Sequence, residues 1–138
     1  MSLEVFINFN GNCREALDFY AEVFKTSVDG LMTFSDAPAT DGYSPPEPDK
    51  DKVMYANLNI GGSNVMFSDV PEGMPHNKGN NIVLTVKVTE RAEVERLFSA
   101  LNTNPNPHMP PQQTFFADYF AMAEDKFGLI WNLVNSPK

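Results

Sequence analysis

The chain is poor in the residue types that most often announce chemistry. It has one cysteine, Cys13, and two histidines, His76 and His108. A single cysteine excludes an intrachain disulfide. Both histidines sit in proline-rich segments, where imidazole is ordinarily solvated rather than a ligand. Basic residues are also few: 10 Lys and Arg stand against 18 Asp and Glu, for a net charge of −8. Nucleic-acid binding rests on cations that neutralise phosphates. A chain this acidic repels DNA, RNA and anionic lipid at long range. No apolar run approaches the roughly 20 residues that span a bilayer. The opening MSLEVFINF lacks a basic segment followed by an apolar run, so no signal peptide is expected. These absences lead to the expectation of a cytoplasmic protein with no membrane and no nucleic-acid partner.

What is present is core material. The 138 residues are 42% hydrophobic and include 11 Phe, enough for a core without disulfides or metal. Glu4 to Phe9 reads as a strand with Phe6 on one face and Val5, Ile7 and Phe9 on the other. Gly11 supplies a turn, Asn12 a helix cap, and Glu15 completes a capping-box pattern. Ala16, Phe19, Tyr20, Val23 and Phe24 then form one helical stripe. Leu31 to Phe34 is a short strand. Ser35 to Lys52 mixes four prolines with five acids and reads as a long exposed loop. Val53 to Ile60 and Asn64 to Ser68 form a hairpin around Gly61-Gly62.

After a connector from Asp69 to Gly79 the pattern begins again. Asn81 to Val88 is a strand, Thr89 a cap, and Val94, Leu97, Phe98 and Leu101 a second helical stripe. Asn102 to Gln113 holds four prolines, so any strand there is short. Phe115 to Ala123 and Leu129 to Val134 are strands joined by a turn at Asp125 to Gly128. The two helical stripes repeat at a spacing of about 78 residues, and Phe6 and Leu84 match at the same spacing. The expectation is a single α+β domain over 1–138, made of two tandem βαβββ modules, about 1–69 and 80–138. Helices on the outer faces leave the inner faces of a curved mixed sheet to surround a cleft.

Four segments carry a resemblance: FNGNCREALDFYAEVF, MYANLNIGGSNVMFSD, GNNIVLTVKV and TFFADYFAMAEDKFGLIWNLVN. Together they resemble the PhnB-like branch of the vicinal-oxygen-chelate superfamily, also labelled a 3-demethylubiquinone methyltransferase-like domain. The superfamily includes glyoxalase I, bleomycin-resistance proteins and extradiol dioxygenases. The resemblance implies a glyoxalase/bleomycin-resistance-like fold and a homodimer. In the superfamily's enzymes it also implies a divalent metal held by one side chain from each of four strands. Those positions fall here at Val5 or Phe6, Met66, Asn81 and Asn132. The branch often has a histidine where this chain has Tyr55. None of these residues suits a divalent ion, since imidazole and carboxylate are the usual donors. No metal and no cofactor is therefore expected, and no Gly-rich loop for a methyl donor follows a strand.

The candidate ligand-binding residues on the inner faces are Phe6, Asn8, Tyr55, Asn57, Met66, Asn81, Phe116, Tyr119 and Asn132. Aromatic walls with a few amides suit a small, flat or moderately polar molecule. Apolar side chains on an inward face are equally what a plain core requires, whereas a buried Asn needs hydrogen-bond partners. Cys13 reads as a small residue packed into a helix start, with an activated thiolate as the alternative. Glu90, Glu93 and Glu95 with Arg91 and Arg96 read as a solvated helix face. Phe115, Phe116 and Phe120 fit a subunit contact or core. Three readings stay open: a metal-free small-molecule binder, a metal-dependent enzyme with a rearranged site, and a non-catalytic assembly domain.

Overall fold

The structure is a computed structural model that describes residues 1–38 and 44–136. Its elements are β1 (Val5–Phe9), α1 (Cys13–Val23), β2 (Asp29–Thr33), β3 (Val53–Ile60), β4 (Ser63–Asp69), β5 (Leu84–Val88), α2 (Arg91–Leu101), β6 (Met109–Gln112), β7 (Tyr119–Glu124) and β8 (Ile130–Asn135). The backbone divides into two compact units, Met1–Asn77 and Lys78–Lys138. Each is a βαβββ module, the α+β repeat that the sequence predicts. No helix among the described residues is long and apolar enough to cross a membrane.

In the first unit the strand order is β1-β4-β3-β2, with β1 parallel to β4 and the other pairs antiparallel. Helix α1 buries Cys13, Ala16, Leu17, Tyr20 and Val23. The expected stripe shifts slightly, because Phe19 and Phe24 lie at its border, Phe19 edge-on to Tyr20 and Phe24 tilted against it. Tyr20 packs on Phe67 of β4, which also stacks on Phe9 of β1, both at 5.9 Å. This is the core of the unit.

The start of α1 is held differently from the expectation. The Asn12 side chain makes no capping bond. Instead Asp69, at the end of β4, accepts the N–H of Gly11 (2.8 Å) and of Cys13 (3.0 Å) on one oxygen, and of Val53 (3.0 Å) on the other. A carboxylate is the stronger acceptor, and the parallel pairing of Phe9 with Asp69 delivers it to the helix start.

Phe34, expected to end a strand, instead opens a 3₁₀ turn, Phe34–Asp36, that runs into the segment expected as exposed loop, and a second turn, Glu47–Asp49, lies within it. Asp49 is buried rather than exposed. It accepts the Glu72 N–H at 3.0 Å and pairs with Lys52 at 2.9 Å, and Lys52 holds its carboxyl below the usual range. The middle of that loop, 39–43, lies outside the described residues.

In the second unit the order is β5-β8-β7-β6, with the same parallel and antiparallel pattern. Helix α2 buries Val94, Leu97 and Leu101. Its N-cap is Glu90, not Thr89, and no side chain caps it. Asp125 accepts the N–H of Phe127 (2.8 Å) and Leu129 (3.1 Å) and the indole N–H of Trp131 (2.9 Å), so it shapes the last turn as expected. Pro110 and Pro111 lie in the edge strand β6, where a missing donor is tolerated.

The repeat is not at one constant spacing. The helices begin at Cys13 and Arg91, 78 residues apart; β1 and β5 begin at Val5 and Leu84, 79 apart. The link before α1 is residues 10–12, and the link before α2 is 89–90, one residue shorter. Phe6 therefore corresponds to Thr85, and the expected match of Phe6 with Leu84 joins opposite faces.

Candidate functional site

Strand alternation gives each sheet two faces. In the first unit Ala56, Leu58, Ile60, Val65 and Phe67 are buried on the face that carries α1. The opposite face holds Phe6 and Asn8 of β1, Met66 of β4, and Tyr55 and Asn57 of β3. Five of the nine expected residues thus share one surface. Across the strands Phe6 lies beside Met66, Met66 beside Asn57, and Asn57 beside Asp29. Phe6 is 49% exposed. The Tyr55 hydroxyl donates to Asn57 Oδ1 at 2.9 Å, which commits its proton and leaves the Asn57 amide N–H groups for another acceptor. Gly30 faces this amide: a Cβ there would stand 3.5 Å from Asn57 Nδ2, on a backbone with φ +62°. His76, expected to be solvated, donates from Nε2 to the Asn8 carbonyl at 3.0 Å. It ties the connector to β1.

In the second unit the equivalent row is Thr85, Asn132, Met122 and Met109. Asn132 Nδ2 donates to Thr85 Oγ1 at 3.4 Å. Asn132 Oδ1 is shielded from solvent and has no hydrogen-bond partner among the described residues. Phe120 shares this face. Phe116, in the loop before β7, meets it edge-on at 5.0 Å, and Phe115 meets Phe116 at 5.3 Å.

Two expected residues fall elsewhere. Tyr119 alternates with Phe120 and so faces α2, where its hydroxyl donates to Glu95 and Arg91 lies 5.3 Å over its ring. The Glu95 bond pushes the phenol above its ordinary range. Its inner-face placement is therefore corrected. Asn81 is exposed and lies before β5, which starts at Leu84; Thr85 takes its place in the row. Sequence reasoning missed Thr85 and Met122. The alternation of Leu84, Val86 and Val88 carried the signal for Thr85.

The residues do not fit a divalent metal. The positions implied by the resemblance supply a phenyl ring, a thioether and carboxamides, and Thr85 adds a hydroxyl. None is an imidazole or a carboxylate. Among the described residues no three His, Cys, Asp or Glu side chains form a group that could hold an ion. Cys13 is fully buried, and desolvation together with nearby Asp69 raises its thiol despite Arg14. Burial outweighs the helix terminus, so the packed-residue reading of Cys13 holds.

The comparisons with known proteins agree with this architecture. The family model described as 3-demethylubiquinone-9 3-methyltransferase matches residues 2–134. Protein YjdN of Escherichia coli (strain K12) is 31% identical over 139 residues, covering 95% of this chain and 92% of that protein. The structure of protein PA1353 from Pseudomonas aeruginosa superposes with a TM-score of 0.84 at 33% identity, covering 97% of this chain and 96% of that one. The PhnB protein from Bacillus cereus shares the fold, with a TM-score of 0.77 at 21% identity over 97% and 98% of the two chains. The chain therefore belongs to the 3-demethylubiquinone-9 3-methyltransferase family, a PhnB-like branch of the vicinal-oxygen-chelate superfamily.

Proposed function

We propose that this protein binds a small organic molecule on the open face of its first sheet, without a metal as anchor. The observation that carries the reading is the row Phe6, Met66, Asn57 on a face that α1 leaves uncovered. A half-exposed phenyl beside a thioether offers a platform for a flat ring. The Tyr55–Asn57 bond fixes the amide so that its N–H groups suit a carbonyl oxygen. The ligand class is thus a planar molecule bearing a carbonyl. A metal-dependent reaction gains no support from the donor set. Methyl transfer gains none either: the Gly61-Gly62 pair turns the β3–β4 hairpin and does not follow a strand into a helix.

Ligand-observed NMR against planar aromatic carbonyl compounds tests the reading. Phe6→Ala is expected to weaken any hit about tenfold, the worth of a partly buried ring. Asn57→Ala is expected to weaken it several-fold. If both variants keep every response, the face is wrong. Stoichiometric Ni, Zn, Mn or Fe in the native protein would overturn the metal-free part.

We also propose that the chain forms a homodimer. Phe115 is fully exposed and Phe116 is 52% exposed, an apolar pair that a subunit contact would cover.

A further inference from the structure

We propose that the open face of the second sheet holds a subsite in which Asn132 and Thr85 pair with the edge of a neutral lactam or aromatic carboxamide. Asn132 Oδ1 is an acceptor cut off from water with no partner among the described residues. Such atoms are rare in folded proteins because each needs a donor. Its neighbour completes the other half of the edge. Thr85 Oγ1 accepts from Asn132 Nδ2 at 3.4 Å, which leaves its own O–H proton free to donate. The pair therefore presents one acceptor and one donor side by side. A cis amide presents the complement: an N–H for Asn132 and a carbonyl for Thr85. A half-turn of the Asn132 carboxamide exchanges the two roles, and the same ligand edge reversed still pairs.

The surroundings select for a flat, uncharged body. The row Thr85, Asn132, Met122, Met109 carries no charge. Met122 lies directly across the ladder from Asn132, and its unbranched chain is able to swing aside for a guest and then lie along a ring. Phe120 follows on the same face, with Phe116 edge-on to it at 5.0 Å. A charged ligand would meet no counter-ion in this row, and Lys87, beside Val134 in the next row, would repel a cation. This subsite rests on a different unit and different residues from the first-sheet reading.

Isothermal titration with 2-pyridone, paired with N-methyl-2-pyridone, tests the proposal in the full chain carrying Phe6→Ala and Asn57→Ala, which removes the first-sheet platform that would accept both compounds. The second compound keeps the ring and carbonyl but has no N–H. The expected result is saturable binding of 2-pyridone, with the methylated compound about tenfold or more weaker because one edge bond is lost and Asn132 stays unpaired. Asn132→Leu is expected to abolish the preference. Should that variant lose its fold by circular dichroism, Thr85→Val gives the answer: Thr85 is exposed on an edge strand, and losing its hydroxyl should weaken 2-pyridone several-fold with the melting temperature retained. Equal affinity for the two compounds overturns the proposal. So does the absence of saturable binding up to roughly 10 mM, or unchanged affinity in Thr85→Val. The first-sheet reading stands on Phe6 and Asn57 and is untouched by any of these outcomes.

Discussion

Asp69 does at one position what three capping groups do elsewhere. Its two oxygens accept three backbone N–H groups, from the β1–α1 turn, the start of α1 and the start of β3. It is almost wholly buried, so water offers no substitute. Asp69→Asn keeps one oxygen and turns an NH₂ toward a backbone N–H. That leaves a buried donor facing a donor, and the expected cost is about 2 kcal/mol, read from urea denaturation. A loss within a few tenths of a kcal/mol would show that the carboxylate is not the organiser. The second unit supports the contrast. Asn135 holds the matching place beside Val88, donates to its carbonyl at 3.3 Å, and leaves α2 without a side-chain cap. The sequence could not disclose Asp69, because it stands 56 residues from the helix it caps. Asn12 had the right chemistry in the right local place, but parallel β1–β4 pairing brought a better acceptor.

Elements were more legible than the contacts between them. Long alternating runs such as Val53 to Ile60 marked their strands because Ala56, Leu58 and Ile60 bury one face. Strand ends were less clear. Asn81 to Val83 continued the polar–apolar rhythm without a partner strand, so β5 starts later and Asn81 drops out of the site. Tyr119 cannot share a face with Phe116 by strand alternation, since the two stand an odd number of residues apart; the pairing of Phe120 with Val134 sets the frame. The first-sheet residues were legible because Phe6, Asn8, Tyr55 and Asn57 obey plain alternation in well-formed strands. The acidic proline-rich segment hid its anchor, since a lone Asp49 among exposed acids gives no local sign of burial. That anchor makes a pH prediction. Lys52 lowers the Asp49 carboxyl in the folded state, so the pairing contributes stability above the ordinary carboxylate range. The contribution fades as pH falls through the lowered value. Hydrogen exchange at the Glu72 N–H, which Asp49 holds at 3.0 Å, is expected to lose protection there, relative to neighbouring amides. Unchanged relative protection down to the pH of global unfolding would break the assignment.

At the scale of the whole molecule, charge and apolar surface pull against each other. A net charge of −8 makes two copies repel, while a fully exposed Phe115 set edge-on to Phe116 rewards contact. A dimer through this pair has a recognisable signature. The attraction is apolar and the opposition electrostatic, so added salt should tighten association by screening the repulsion. A contact built on ion pairs would loosen instead. A two-fold contact also counts each residue twice. Replacing Phe115 with Ser removes an aromatic from both sides, for a loss of about 3 kcal/mol or roughly 100-fold in dissociation constant. Sedimentation equilibrium at micromolar concentration reads both effects. The expected result is a dimer that strengthens between low and moderate salt and a Phe115→Ser chain that sediments as a monomer with an unchanged melting profile. A wild-type chain that stays monomeric under both conditions would leave Phe115 a solvent-exposed ring and end the dimer reading, with the two binding-face proposals still to be decided by their own variants.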